Sequence, residues 1–129
     1  MPWEPVTITR KDAVDVDGDQ VEVVWSLSKR PSSDWAREFR DAVATRHGSS
    51  QFPGTPEPDV RLGGTIYWTV PAADLRGAVE HVKACVDGAN AAERDLVARR
   101  EEEIRRRVEE ETAKAERLRA AQQALNALD

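Results

Sequence analysis

Residues that carry chemistry are scarce in this sequence. Among 129 residues there is one cysteine and there are two histidines, which excludes an internal disulfide and leaves few side chains for metal or acid–base sites. A single thiol is typical of proteins from a reducing compartment. No apolar run reaches the ~18 residues that suggest a membrane-spanning helix, and the opening MPWEP lacks the basic and apolar regions of a secretory signal. We therefore expect a cytoplasmic protein with no membrane partner.

Clustered positive charge is also missing. The net charge is −5; residues 1–90 hold 14 acidic and 10 basic side chains, and residues 91–129 hold 10 and 9. Binding to nucleic acid relies on clustered Lys and Arg, and only a small basic group near the first predicted helix offers this. That group consists of Lys29, Arg30, Arg37 and Arg40. We expect no nucleic-acid partner. Arginine outnumbers lysine 15 to 4, and this excess is typical of a bacterial genome of high GC content.

A β-hairpin is the clearest local prediction. The dipeptide Asp17-Gly18 favours a two-residue turn, and alternating apolar residues flank it. With this dipeptide as the loop, Val14 faces Val21 and Ile8 faces Leu27, and Val24 lies on a polar, exposed face. A slip of one residue would move the apolar set into water. The apolar residues expected on the buried face are Ile8, Val14, Val16, Val21, Val23, Trp25 and Leu27; the same register places Arg10, Asp12 and Asp19 on this face. The sequence thus predicts an antiparallel ribbon from about Val6 to Ser28.

The middle of the chain predicts a helix, a loop and a third strand. The run from Pro31 to Asp34 ends the second strand and offers capping oxygens for a helix that begins near Asp34. Residues 47–64 are rich in glycine, serine and proline and predict a loop that is either mobile or functional. Thr65–Val70 alternates as a strand should.

These elements predict an α+β fold with ββαβα order, like half of a ferredoxin-like fold. A right-handed connection through the helix would make the second and third strands parallel, with the first strand between them and antiparallel to both. We therefore expect a three-stranded mixed sheet in the order 2-1-3, helices on one face, and a long charged C-terminal helix. The likeness is architectural and implies no function.

From Leu75 to Leu128 the sequence predicts helix throughout. Up to Ala89 the apolar residues recur at helical spacing in one stripe, which is typical of a helix buried against a sheet. Farther on, triplets of Glu and Arg alternate at a spacing of four, and each i,i+4 ion pair adds about 0.2–0.5 kcal/mol to a helix in water. The triplets are Glu101–Glu103, Arg105–Arg107 and Glu109–Glu111. We predict a small α+β domain over residues 1–90 and an extended charged helix over residues 91–129.

The long helix has one candidate break. Asp87-Gly88 could end one helix, and Asn90 with Glu93 could cap the next. The apolar stripe keeps its phase across this point, which favours one continuous helix, bent at Gly88 at most. Such a helix of 55 residues would be roughly 80 Å long.

The charged part of this helix carries a weak heptad repeat. One core position is held by Val97, Ile104, Glu111, Leu118 and Leu125, and the other by Arg94, Glu101, Val108, Ala115 and Gln122. A firm coiled coil keeps both positions apolar over three or four heptads, which this repeat does not. Two interpretations remain: a solvated helix with no fixed partner, or a helix that pairs because its apolar row would otherwise stay exposed. The predicted partner-binding residues are Val97, Ile104, Val108, Leu118 and Leu125.

The sequence does not match the residue spacing of known metal-binding and cofactor-binding motifs. An EF-hand loop that starts at Asp15 would need glycine where Gln20 stands and glutamate where Ser26 stands. His81 and Cys85 lie four apart on the long helix, but no second pair exists, so we interpret Cys85 as a small buried residue. Gly63-Gly64 precedes a strand, whereas phosphate-binding glycine loops follow one. We expect no metal and no cofactor.

Four tryptophans are an excess for so short a chain. Trp25, Trp35 and Trp68 each fall at a predicted core position. Trp3 stands between two prolines before the first strand, where it could cover the open end of the core or bind something else.

The pattern favours a non-enzymatic association, scaffold or adaptor protein that assembles through its long C-terminal helix, as a dimer or with another protein. The alternative is a small-molecule-binding regulatory domain with a site near the 47–64 loop. Its polar groups would be Arg46, His47, Arg61 and Tyr67.

Overall fold

The computed structural model describes residues 2–47, 56–61 and 63–128. In chain order the elements are β1 (Ile8–Asp17), β2 (Gln20–Leu27), α1 (Ser33–His47), β3 (Asp59–Arg61), β4 (Thr65–Pro71) and α2 (Leu75–Ala127), with a 3₁₀ turn at Ala72–Asp74 before α2. The structure is α+β, and its four strands form one antiparallel sheet.

The predicted hairpin is present, but its turn is shifted by one residue. Asp17 pairs with Gln20, so the loop residues are Gly18 and Asp19. Gly18 has a φ of +62°, and Asp19 does not have a positive φ. A positive φ at the first central position alone is typical of a hairpin turn that has glycine at that position. The prediction placed glycine at the second central position, as another type of turn requires, and this was wrong.

Two register shifts in β1 change which residues face the core. They fall between Ile8 and Arg10 and between Ala13 and Asp15, and each adds a residue to β1 without a partner in β2. Val14 and Val16 are 54% and 64% exposed, although the sequence predicted them on the buried face. Val14 is the residue left without a partner by the second shift, whereas Val16 pairs with the buried Val21 but lies on the edge strand. The predicted pairing of Ile8 with Leu27 is confirmed. The displaced turn alone would have changed this pair, but the two register shifts between the turn and Ile8 restore it.

The sheet order is β1-β2-β4-β3, so the predicted three-stranded order 2-1-3 was wrong. The predicted third strand, which is β4, pairs antiparallel with β2 and displaces β1 to the edge. The missing element is β3, three residues within the predicted 47–64 loop. Because β3 is antiparallel to β4, it runs in the same direction as β2. The helical connection therefore does join two strands of like direction, with β4 inserted between them. Within that predicted loop, residues 48–55 and 62 lie outside the described residues.

The core lies between one face of the sheet and the two helices. Trp25 and Trp35 are fully buried and Trp68 is 2% exposed, as the sequence predicted. Val24 points to the opposite face but is also buried, between Asp12 and Tyr67 of the neighbouring strands; its predicted exposure was wrong. The largest fully buried side chains are Val6, Trp25, Trp35, Phe39, Val43, Ile66, Val70, Val82 and Cys85.

α1 begins where the capping residues predicted. Ser32 precedes its first residue and accepts the backbone N–H of Trp35 on Oγ at 3.1 Å. Its carbonyl accepts the N–H of Ala36 at 3.0 Å. The bond from Trp35 satisfies one of the N–H groups that a helix start leaves without partners, and the bond from Ala36 is the first backbone bond of the helix itself.

α2 continues without a break from Leu75 to Ala127, which confirms the continuous alternative at Gly88. The chain nevertheless divides into two compact units, Met1–Arg94 and Asp95–Asp129, and α2 contributes to both. None of the helices in the described part of the chain has the length and apolar character needed to cross a bilayer.

Candidate protein-binding surface

Asn90 holds the segment before β1 against α2. Its Oδ1 accepts the backbone N–H of Val6 at 2.9 Å and Nε1–H of Trp35 at 2.9 Å, and its Nδ2 donates to the Val6 carbonyl at 2.8 Å. One amide side chain thereby joins the N-terminal segment, α1 and α2. The less favoured alternative, in which Asn90 caps a second helix, does not apply, because α2 runs through this position.

Glu93 adds a second set of contacts to the same segment. It is buried, with 8% exposure, and its Oε1 accepts Nε1–H of Trp3 at 2.8 Å. Its Oε2 accepts the hydroxyl proton of Ser32, the residue that caps α1. Trp3 is therefore engaged within the chain, and the Arg94 guanidinium lies 6.0 Å from its ring centroid. We refer to Trp3, Val6, Ser32, Trp35, Asn90 and Glu93 as the N-terminal anchor.

The N-terminal anchor is a structural assembly rather than a vacant site. Each of its buried polar side chains has a partner within the unit Met1–Arg94, as a buried polar group requires. The predicted boundary between residues 90 and 91 falls within it. Any shortened chain must keep Glu93 if the anchor is to stay intact.

The second unit presents the predicted partner-binding residues to solvent. Every residue from Ala98 to Leu128 is exposed. Ile104, Val108, Leu118 and Leu125 are 62%, 56%, 69% and 61% exposed, and Val97 is half-buried. Their spacing places them on the two core positions of the heptad repeat, which form one side of the helix. We call these core positions, Val97 to Leu125, the seam.

Ion pairs support this helix in water. Arg107 bonds to Glu103 at 2.7 Å across four residues, and Arg105 pairs with Glu102 across three. The predicted i,i+4 pattern is therefore only partly used, since Arg105 bonds to Glu102 rather than Glu101. Exposed pairs of this kind contribute about 0.3–0.5 kcal/mol each. Several of them allow a charged helix to remain helical without a buried face.

The alternative small-molecule site is not assembled among the described residues. Arg61 stacks on Tyr67, with Cζ 4.1 Å from the ring centroid, and Tyr67 alternates with the buried Ile66 and Trp68, so it lies on the sheet face away from the helices. Arg46 lines a shallow hollow between α1 and α2 together with Gly88, on the other side of the sheet. The arginine–tyrosine pair and Arg46 therefore do not share one site.

A groove lies between the start of β1 and α2. It encloses about 500 Å³ and has apolar walls from Ile8, Val79 and Val86, with charged groups supplied by Lys11, Lys83 and Asp87. Val6 and Asn90 also line it, but they already bond to each other. The groove is concave enough for a small ligand, and its chemistry does not specify one.

His81 and Cys85 do not form a ligand pair. The His81 ring lies against Trp68, with ring centroids 5.3 Å apart, while Cys85 is fully buried in the core. Among the described residues, no group of three or more His, Cys, Asp or Glu side chains is arranged to hold a metal ion.

Cys85 is expected to be unreactive in the folded protein. Burial raises the pKa of its thiol from 9.0 to about 11, against a smaller opposite effect of Arg46. At pH 8 the thiolate, which is the reactive form, is then about 100-fold less populated than at the ordinary pKa. Labelling by iodoacetamide at pH 8, followed by mass spectrometry, should therefore be at least 100-fold slower than in guanidinium.

The same pKa shift sets a pH dependence of stability. The unfolded chain releases the Cys85 proton near pH 9, whereas the folded chain holds it up to about pH 11, so the free energy of unfolding falls as pH rises through this window. A Cys85→Ser variant should show a smaller decline in the free energy of unfolding with pH.

In the labelling experiment, rapid reaction of the folded wild type with iodoacetamide would contradict the buried, protonated thiol.

Sequence reasoning missed two groups of residues. Asn90 and Glu93 carry the N-terminal anchor, and their spacing of three along a continuous buried stripe was the available signal. The other group consists of the basic residues beside the seam, because the sequence analysis assigned heptad positions only to the core residues and not to the Arg triplet. Those positions determine which charges meet a partner.

Comparisons with protein-family models, with curated proteins and with solved structures found no match for this chain.

Proposed function

We propose that this is a non-enzymatic association protein that binds a helix through the seam of α2, either a helix of another protein or that of a second copy. The observation that carries the proposal is the row of Ile104, Val108, Leu118 and Leu125, each more than half exposed. Large apolar side chains aligned on one side of a helix are the pattern by which coiled-coil partners recognise each other.

The affinity follows from what the seam can bury. A fully buried Leu, Ile or Val side chain contributes about 1.5–3 kcal/mol, and four such residues must offset an association cost of roughly 4–15 kcal/mol. Glu101 and Glu111 interrupt the seam and weaken it further. The net free energy of association is then about −8 kcal/mol at best, so we expect a dissociation constant of about 1 µM or weaker, which suits regulated rather than permanent assembly.

The proposal includes a cytoplasmic location and no nucleic-acid partner. The single cysteine and the acidic net charge of −5 support these two parts.

A double substitution in the seam tests the proposal. Ile104→Glu with Leu118→Glu should lower the affinity for a partner helix at least tenfold, since it places two charges where apolar contact is needed. Two measurements on the full chain cover both kinds of partner. Light scattering after size exclusion detects a second copy, and a fluorescence titration detects a four-heptad probe peptide with Ile and Leu in its core and Gln at its flanks.

Ala113→Glu with Ala120→Glu is the matched control. It adds the same charge to the same helix, but both positions lie on the side away from the seam in the heptad assignment. The control should pair as the wild type does. If the wild type binds neither the probe nor itself at 100 µM, the helix is a solvated charged helix and the proposal is wrong.

A further inference from the structure

The positions beside the seam carry charge of a single sign. In a heptad with core positions a and d, the flanking positions e and g meet the partner's flanks. With the seam as assigned, the charged flanking residues are Arg100, Arg105, Arg107, Lys114 and Arg119. No acidic residue occupies a flank between Asp95 and Leu128, although this segment has eight acidic and eight basic side chains and is neutral overall.

The acids lie elsewhere on the same helix. Glu101 and Glu111 are in the seam, and the other six are on the outer positions b and c. These six are Asp95, Glu102, Glu103, Glu109, Glu110 and Glu116. The arrangement is therefore segregated: bases border the surface that a partner would touch, and most acids face away from it.

This segregation opposes pairing between two copies. A parallel pair brings flank g of one helix to flank e of the other, so Arg100 meets Arg105 and Lys114 meets Arg119. An antiparallel pair brings like flanks together, which again offers only basic or uncharged neighbours. In a parallel pair in register, Glu101 and Glu111 would also face their own copies. No arrangement of two copies places an acid at a flank, and like charges at these positions work against a wrong partner.

We infer that the partner of α2 is an amphipathic helix with acidic residues at its own e and g positions, rather than a second copy of this chain. This inference rests on the proposed function, because it names the class of partner that the seam takes. Opposite Glu101 and Glu111 such a helix would carry a basic or amide side chain, which would pair with the two carboxylates instead of burying them unpaired.

Two of the flanking arginines, Arg105 and Arg107, are exposed enough to reach such a partner. Arg105 and Arg107 keep 66% and 71% of their side-chain surface exposed while they pair with Glu102 and Glu103. Those pairs are with outer positions of the same helix, so an incoming carboxylate can approach from the seam side. A guanidinium has five N–H donors and can serve both acids.

An anionic membrane surface fits the same helix less well. Membrane-surface helices carry a continuous apolar face, often with Trp or Phe, whereas no aromatic residue occurs between Asp95 and Leu128. Glu101 and Glu111 would also be pressed toward anionic headgroups. The observations therefore favour an acidic helix.

The experiment compares three probe peptides that differ only at their flanks. Each has four heptads with the same Ile and Leu core, and the flanks are all Glu, all Gln or all Lys. Each labelled peptide is held at nanomolar concentration, so that it does not pair with itself, and is titrated with the full chain. We expect the Glu probe to bind at least tenfold more tightly than the Gln probe and the Lys probe to bind most weakly. In 1 M NaCl, where screening acts within about 3 Å, the preference should fall below threefold.

Two triple variants separate the flanks from general charge. Arg105→Gln, Arg107→Gln and Lys114→Gln should lower the preference for the Glu probe over the Gln probe to below about threefold, because only Arg100 and Arg119 then remain charged at the flanks, while binding of the Gln probe persists. Arg99→Gln, Arg106→Gln and Arg117→Gln remove the same charge from outer positions and should leave the preference intact.

The outcomes distinguish this inference from the proposed function. Equal binding of the Glu and Gln probes, or tighter pairing of two copies than with the Glu probe, would overturn the acidic partner and leave helix pairing in place. Loss of the preference in the outer variant would also overturn it. Binding to none of the probes, with no self-pairing, would end the proposed function as well. Binding only to vesicles of phosphatidylserine and phosphatidylcholine would replace the helix with a membrane surface.

Discussion

Replacing Asn90 by alanine is expected to lower the free energy of unfolding by about 2–4 kcal/mol, because three buried or half-buried groups lose their partner at once. These are the backbone N–H and carbonyl of Val6 and the indole N–H of Trp35. In a protein of this size the loss corresponds to a fall in melting temperature of roughly 10–20 °C. Chemical denaturation followed by circular dichroism measures it.

Asn126→Ala is the matched control for this change. Asn126 is also on α2 but is exposed, and its side chain accepts a hydrogen bond only from Gln122 among the bonds described. It should change stability by less than about 0.5 kcal/mol. If the two substitutions lowered the free energy of unfolding equally, the hydrogen bonds of Asn90 would add nothing to stability, and the anchoring role of Asn90 would be wrong.

Replacing Glu93 by alanine is expected to cost about 1–3 kcal/mol and to release Trp3. The carboxylate accepts one bond from Trp3 and one from Ser32, so its removal also disturbs the cap of α1. Acrylamide quenching of fluorescence should increase in Glu93→Ala, because the Trp3 indole gains solvent. A Trp3→Phe background, in which the same substitution should leave quenching unchanged, assigns the change to this residue.

A Glu93→Gln variant grades the effect. Its amide oxygen can still accept from Trp3, but its amide group donates toward the Ser32 hydroxyl, which already accepts the Trp35 N–H. We expect a cost between zero and that of alanine. A Glu93→Gln variant as unstable as Glu93→Ala would indicate that the negative charge itself, and not the capacity for hydrogen bonds, holds the segment.

Much of the fold follows from local pattern. Alternation along β2 and β4, the serine cap before α1 and the unbroken apolar phase across Gly88 predicted elements that the structure contains, because each signal lies within a few neighbouring residues. The order of the strands could not be obtained in this way. The order depends on β3, a strand of three residues that is too short to show an alternating pattern. It also depends on which strand pairs with each edge of β2, and no local pattern specifies this.

The candidate site was predictable to a different extent. The apolar row of the seam is visible as spacing alone, whereas the N-terminal anchor joins α2 to residues 55 to 90 positions earlier in the chain, and no local pattern encodes such a pairing. Trp3 illustrates the difference. Its position between two prolines before the first strand marked it as unusual in the sequence. Its partner, Glu93, is known only from the structure, in which α2 brings Glu93 beside the start of the chain.

The irregular ladder of β1 has a consequence for how the protein behaves at high concentration. An unpaired sheet edge that exposes apolar residues such as Val14 and Val16 is a template on which further chains can add strands and grow into fibrils. A template of this kind needs a long, regular row of backbone groups. The two shifts in β1 interrupt that row, and Asp12, Asp15 and Asp17 place charge along it. The register shifts in β1, which made the predicted pairing wrong, thus oppose amyloid-like growth at this edge of the sheet.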